Sequence, residues 1–349
     1  MRGPPPGGPG SSAARSGAGF TLVEMLVVLS ILGILMGISI GAFRRAIPSR
    51  DVARNAVLDA LRQARLFAIA ESSPATVRLD PGGAERWPTV TALGRRTIAG
   101  WHLEGTDLDG WPDAAHGAGL EEEPRGAVGR AVRLADDQPS WIDFGTTPAF
   151  DAADGFALEC FVRIDEPRSQ ALFAKGRGFS LRCESDGGLS AQVRVLGRDE
   201  RGDPRPAFQS VRSDEPVLVP GRFIKVAVTF DGLQLRMSVD DAVVAELVLQ
   251  ARTEFMPDRD ASLLCGVLDA PAGLALDEVK WGIFAGSVQE LRDMEVGPGL
   301  RLVRFGPDGG LDPRFHGGPA ELCLLTPGGD PERPPLATWI RIGTLGDVH

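Results

Sequence analysis

Glu24 stands where solvation alone would not keep a carboxylate. In GAGFTLVEMLVVLSILGILMGISIGAFRRAI it lies inside a run, residues 20–43, that is otherwise almost wholly apolar. Carrying such a charge to the middle of a bilayer costs on the order of a few kcal/mol. The position is sustainable when the carboxylate is paired, because a buried charge becomes strongly unfavourable once its partner is removed. Glu24 also falls in the first turn of the expected helix, where the backbone dipole favours an anion.

Other reactive residue types are thinly spread. Cys160, Cys183, Cys265 and Cys323 form no CxxC pair and have no nearby His, so metal-site spacing is missing. Cys160 and Cys183 share the apolar parity of two strands that could be neighbours, which makes them the disulfide candidate beside the alternative of free core thiols. His102, His116, His316 and His349 are scattered, and the Gly-rich stretches carry no phosphate-loop or dinucleotide pattern. The 349 residues include 37 Lys+Arg against 47 Asp+Glu, a formal charge of −10. That balance argues against a broad grip on nucleic acid, and no nucleic-acid partner is expected.

The elements that must position these residues fall into two kinds. Residues 25–43 supply about the 20 apolar positions that span hydrocarbon, interrupted only by Ser30 and Ser39. The small-residue stretch SAARSGAG precedes this run, so a cut is expected upstream and the helix is retained. Pro48 must kink or break the helix. RNAVLDALRQARLFAIAES then resumes a helical pattern, with Ala53, Val57, Leu61, Ala64 and Ala68 on one stripe. After Asp80 the character is all-β: FALECFVRI, GFSLRCES, LSAQVRVLG, FIKVAVTF and LQLRMSVD are separated by Gly, Asp and Pro. Such spacing predicts a sandwich or jelly roll. In FALECFVRI, Phe156, Leu158, Cys160, Val162 and Ile164 share one face and Glu159 and Arg163 the other, as in a half-buried strand.

GFTLVEMLVVLSILGIL resembles the processing site and first helix of type IV pilins and pseudopilins. The resemblance implies that a prepilin peptidase cuts between Gly19 and Phe20 and that Phe20 is then N-methylated. It also implies that Glu24 faces the new α-amine of a neighbouring pilin or pseudopilin. The leader departs from the family in being long, rich in Pro and Gly, and charged only at Arg2 and Arg15. Arg44, Arg45, Arg50 and Arg54 follow the span, so charge counting favours the reverse of the cytoplasmic N-terminus that the processing motif implies. The stretch VARNAVLDALRQARLFAIAESSPATVRLD is most similar to the H-type minor pseudopilins of type II secretion systems.

Further segments resemble a laminin-G-like, concanavalin A-like jelly roll: GWHLEG, VGRAVRLADDQPSWIDFG, GFALECFVRIDE, LFAKGRGFSLR, PGRFIKVAVTFDGLQLRMSVDD and LALDEVKWG. Asp240-Asp241 stands where that family has Asp-Gly in a tight hairpin. The resemblance implies one hard cation, Ca2+, at a rim, with Asp143, Asp231 and Asp277 as the strand-end acids to hold it. Turn formation by Asp231-Gly232 and Asp277-Glu278 is the competing reading. Trp101, Trp111, Trp141 and Trp281 are the candidates for stacking on sugar rings, core packing being the alternative for each. Glycoside hydrolysis needs two flanking carboxylates, and the E-x-D-x-x-E run of hydrolases with this fold is absent, so no enzyme is expected.

RLVRFGPDGGLDPRF, AELCLLTPG and ATWIRIGTLGDVH look like the closing strands of the pseudopilin head. The expected fold is therefore α+β: a leader over 1–19, a membrane and amphipathic helix with the first head strand over 20–80, a jelly roll inserted at 96–294, and head strands over 295–349. A plain tandem is the rival arrangement. The expected function is a structural subunit of a type II secretion or pilus-like filament, anchored once in the inner membrane with its head in the periplasm. Its jelly roll would recognise a glycan or a secreted protein. A surface-displayed adhesive pilin is the alternative.

Overall fold

The computed structural model describes residues 22–23, 25–32, 34, 36, 49–83, 86–111, 113–198, 202–267, 272–326 and 335–348. The processing and pairing residues Gly19, Phe20 and Glu24, together with Pro48, lie outside them. Chain contacts divide the molecule into a unit over 1–52 and a unit over 53–349. In the first, Leu22, Val23, Met25, Leu26, Ile31 and Met36 are helical with exposed side chains. Among the described residues no helix is long and apolar enough to cross a membrane.

In the second unit the helix containing Ala53 runs over Ser49–Ala70. The stripe read from the sequence is its buried face, with Ala53, Val57, Leu61, Ala64 and Ala68 all between 0 and 3% exposed. Gly94 on the facing strand lets the helix approach, because a Cβ there would overlap the Phe67 side chain. The helix ends with Ser72 in the left-handed region (φ 44). Ser72 N–H bonds to Ile69 O and Ser73 N–H to Ala68 O, and Pro74 prevents continuation.

Two sheets pack face to face. One contains Phe156–Ile164, Ile224–Phe230, Gln234–Val239, Ala242–Val248 and Leu274–Ala285; the other contains Gln170–Lys175, Phe179–Cys183, Leu189–Arg198, Pro204–Arg212 and Leu263–Val267. Alternation produces the packing: Phe156, Leu158, Cys160, Val162 and Ile164 point into the core, as do Ile224, Val226, Val228 and Phe230 across the ladder. The turn at Asp240-Asp241 is tight, with both residues in the left-handed region (φ 47 and 64) that a two-residue I′ turn requires, and the ladder shifts register just beyond it, between Met237 and Ser238.

One strand serves both halves of the unit. Thr89–Trp101 pairs with Ala75–Asp80 through its first residues and with Leu274–Ala285 through its last. Buried apolar residues form two clusters: one drawn from 99–281, the other from 53–92 and 291–342. The second cluster is closed by the helix and a three-stranded sheet of Glu295–Val296, Ala320–Thr326 and Leu336–Ile342.

Between the two clusters lies a buried ion network. Arg304 is 1% exposed and donates from Nε to Asp312 (3.1 Å), from Nη2 to Gln234 Oε1 (2.8 Å), and from Nη1 to Asp231. Arg314 donates to Asp312 (2.9 Å) and to Glu246 Oε2 (2.9 Å), which also accepts from Gln234 (2.6 Å). The Arg304 backbone N–H donates to His316 Nε2 at 2.9 Å, so that nitrogen must be unprotonated. Burial pushes the His316 pKa down, the Arg304 charge adding to that and Asp312 opposing it. Burial alone would raise Asp312, but the Arg314 hydrogen bonds and the charges of Arg314 and Arg304 hold it below the usual range.

Both groups favour their proton-free form in the fold, so both stabilise it at neutral pH. The His316 contribution is present above its unfolded value, about 6.5, and is lost as pH falls toward the lower folded value. That of Asp312 is lost only at more acid pH, below about 4. Melting temperature followed by circular dichroism should therefore fall from pH 7 to pH 5. His316→Gln, whose amide oxygen can accept the same N–H without titrating, should flatten that interval and leave the lower one. An unchanged profile in the variant would show that His316 is not the responsible group.

Candidate functional site at the sandwich rim

The structure separates the four tryptophans. Trp281 and Trp101 are core residues, 0 and 2% exposed, linked through Phe150 at centroid distances of 5.3 and 6.2 Å. Phe156 stacks on Trp281 at 4.9 Å. Neither indole has a face available for a sugar, which corrects that expectation: both lie on strands whose inward parity places them between the sheets. Trp141 is half-buried against His116 at 5.7 Å. Trp111 is 58% exposed.

Trp111 stands over a cleft of about 440 Å³ whose lining includes Trp101, His102, Glu278 and Lys280. The floor is the antiparallel pair in which Gly100 faces Lys280 and Trp101 faces Val279. The two-residue strand Gly110–Trp111 pairs with Gly100 and Trp101 and so fixes the exposed indole. Gly110 is needed there, because a Cβ would overlap the Trp101 ring. The Trp101 indole N–H donates to the Asp113 carbonyl at 2.9 Å and ties down the far side of the loop.

A β-bulge sets the polar wall. The register of Leu274–Ala285 against Phe156–Ile164 shifts between Asp277 and Lys280, and Glu278 adopts φ 49, uncommon for a residue with a side chain. The bulge turns Asp277 inward, where it is 1% exposed and accepts the Val128 N–H at 2.8 Å. Burial raises its pKa. Glu278 turns the other way, sharing a hydrogen bond with His102 and lying 3.7 Å from Lys280. An exposed indole face beside a carboxylate, an imidazole and an ammonium matches what a sugar ring presents, one apolar face edged by hydroxyls.

The three acids considered for Ca2+ are not brought together. Asp231 Oδ1 accepts the Leu233 and Gln234 N–H groups (2.9 Å each), and Oδ2 meets Arg304. Asp143 accepts the Gly145 N–H at 2.7 Å and pairs with His116, while Asp277 serves the Val128 backbone. Among the described residues no three Asp, Glu, His or Cys side chains form a metal-binding group. All four cysteines are free and buried. Cys160 and Cys183 lie in opposite sheets, so the strands expected to neighbour each other do not. Burial raises both thiols, Cys160 to a value far above the ordinary range.

His102 and Glu278 were not singled out from sequence as a site. They lie 176 positions apart, and only the pairing of the two long strands joins them. Glu278 beside Asp277 reads in sequence as a turn; the one cue to more was two consecutive acids inside an otherwise alternating strand.

Residues 15–40 match the prokaryotic N-terminal methylation motif. The search of curated proteins returns no match. Among solved structures, domain 4 of AbnA, a GH43 extracellular arabinanase from Geobacillus stearothermophilus, in complex with arabinotriose, is 13% identical with a TM-score of 0.41, covering 55% of this chain and 95% of that one. The binding domain of Paraclostridial Mosquitocidal Protein 1 is 10% identical with a TM-score of 0.41, covering 55% and 49%. The Ruminococcus gnavus IT-sialidase CBM40 bound to alpha2,3 sialyllactose is 14% identical with a TM-score of 0.30, covering 43% and 88%. The chain carries a type IV pilin-like N-terminal methylation motif ahead of a mostly β unit built as a two-sheet sandwich.

Proposed function

We propose that this is a minor-pseudopilin-like subunit, anchored in the inner membrane by its N-terminal helix, whose sandwich is a non-catalytic recognition module. The motif match at 15–40 carries the reading. A prepilin peptidase removes residues 1–19, Phe20 becomes the methylated N-terminus, and Glu24 pairs with the α-amine of a neighbouring subunit. The head projects into the periplasm within a type II secretion filament. The sandwich, residues 96–294, is an insertion into a pseudopilin head completed by 295–349. Supporting this, the chain enters the sandwich on Thr89–Trp101 and leaves on its antiparallel neighbour Leu274–Ala285, so entry and exit are adjacent. The Trp111 cleft favours a saccharide ligand, and with it a second reading in which the subunit is an adhesive pilin displayed outside the cell.

Co-expression with a prepilin peptidase followed by mass spectrometry of the N-terminus tests the first step. The expected product begins at methylated Phe20. Glu24→Ala should be processed normally but lose recruitment into filaments on the order of a hundredfold, the consequence of leaving the amine unpaired. An uncut N-terminus would overturn the pilin reading. Protease shaving of intact cells separates the two locations: cleavage of the head favours the adhesin, protection favours the secretion filament.

A further inference from the structure

A second cleft, remote in sequence from Trp111, opens where the outer face of the sandwich meets the end of the helix. It measures about 560 Å³ and is bounded by Ser72, Ser73 and Pro74 on one side and by Arg95, Lys225 and Arg236 on the sheet. Its floor is made of small outward-facing side chains: Thr229 lies opposite Arg236, and Ala227 opposite Ser238. Leu235 and Met237, which alternate with these, are fully buried on the core side. Long cationic residues thus rim a shallow, hydroxyl-lined trough.

The cations are unequally satisfied. Glu159 lies between Arg95 (3.2 Å) and Lys225 (3.5 Å), and Asp241 meets Lys225 at 2.8 Å. Arg236 has no hydrogen-bond acceptor or ion-pair partner among the described residues. Its cross-strand neighbour Glu246 is engaged by Gln234 and Arg314. Burial, followed by the Arg314 charge, disfavours the Arg236 cation, and the charges of Glu246 and Asp312 partly offset this. Arg95 Nε is buried without an acceptor as well. Arg236 is half-buried, and no nitrogen of its guanidinium is sealed from solvent without a partner, so the fork is open to an anion entering the cleft.

We infer that this cleft binds a carboxylated saccharide, with Arg236 as the fork that takes the carboxylate and the Ser72, Ser73, Thr229 and Ser238 hydroxyls meeting the sugar. Three cations against Glu159 and Asp241 leave one positive charge, which matches a planar monoanion; a phosphate dianion would meet the two carboxylates. The strands of the floor are paired on both edges, so no free backbone edge exists for a peptide to extend. Recognition must run through side chains, and those present suit hydroxyls. The site is separate from the Trp111 cleft and does not depend on the export reading.

Isothermal titration of the full chain in detergent micelles, with a galacturonic acid trimer, a neutral galactose trimer and a glutamate tripeptide, tests this. The acidic trimer should bind at least about tenfold more tightly than the neutral one, the ratio one charge-assisted pair supplies. Arg236→Gln should abolish that difference without lowering the melting temperature. Arg236→Lys, which keeps charge but not the fork, should retain only part of it. Trp111→Ala should leave the acidic trimer binding intact, so failure at the rim is distinguishable from failure here. Equal binding of the two sugars, undiminished binding by Arg236→Gln, or equally tight binding of the glutamate tripeptide overturns the inference.

Discussion

Arg304→Gln should lower the stability of the 53–349 unit by about 3–5 kcal/mol, the cost of leaving the buried Asp231 without its cation and Asp312 with Arg314 alone. Asp312 and Asp231 keep 1 and 8% of their side-chain surface, so water cannot take over the role of the guanidinium. The effect should be read by urea unfolding followed by tryptophan fluorescence, with a fall in melting temperature on the order of 10 °C. Asp231→Asn added to Arg304→Gln should recover part of the loss, because the amide no longer needs a counter-charge. A loss below about 1 kcal/mol would mean that the network is solvated in solution and does not hold the two cores together.

Trp281→Ala should cost about 3–5 kcal/mol, because it empties a place filled on three sides by Phe150, Phe156 and Phe179. Trp111→Ala should cost less than about 0.5 kcal/mol, its indole being mostly in water. Ligand measurements should reverse the order. Trp111→Ala should eliminate any rise in melting temperature produced by a saccharide at the rim, whereas Trp281→Phe, which keeps the packing and removes an indole N–H that has no partner, should preserve it. A saccharide-dependent rise that survives Trp111→Ala would move the site away from this cleft.

The helix face at Ala53–Ala68 and the inward parity of Phe156–Ile164 were legible because periodicity is a local property that burial then selects. The four tryptophans were not separable by the same means. Trp101 and Trp111 are ten residues apart in similar contexts, yet one closes the core and the other stands over a cleft, a difference set by which strand pairs beneath them. Asp231 read as a turn former or a cation ligand; the structure gives it the turn and adds Arg304, 73 positions away. The suggested adjacency of Cys160 and Cys183 failed because parity says which face a residue occupies but not which sheet its strand joins.

By itself the sequence determined the N-terminal methylation motif at 15–40, the amphipathic helix that follows and the all-β character beyond it, since each rests on residue order within a short window. Only the tertiary structure decided that one strand, Thr89–Trp101, belongs to both halves of the unit, that Arg304 joins their cores, and that Glu278 reaches His102 while Arg236 lines a cleft with Arg95 and Lys225. Those outcomes depend on strand order and register between segments far apart in the chain, 70 positions for Arg304 and Gln234 and 176 for His102 and Glu278. No local preference encodes them; burial of both cores together selects them.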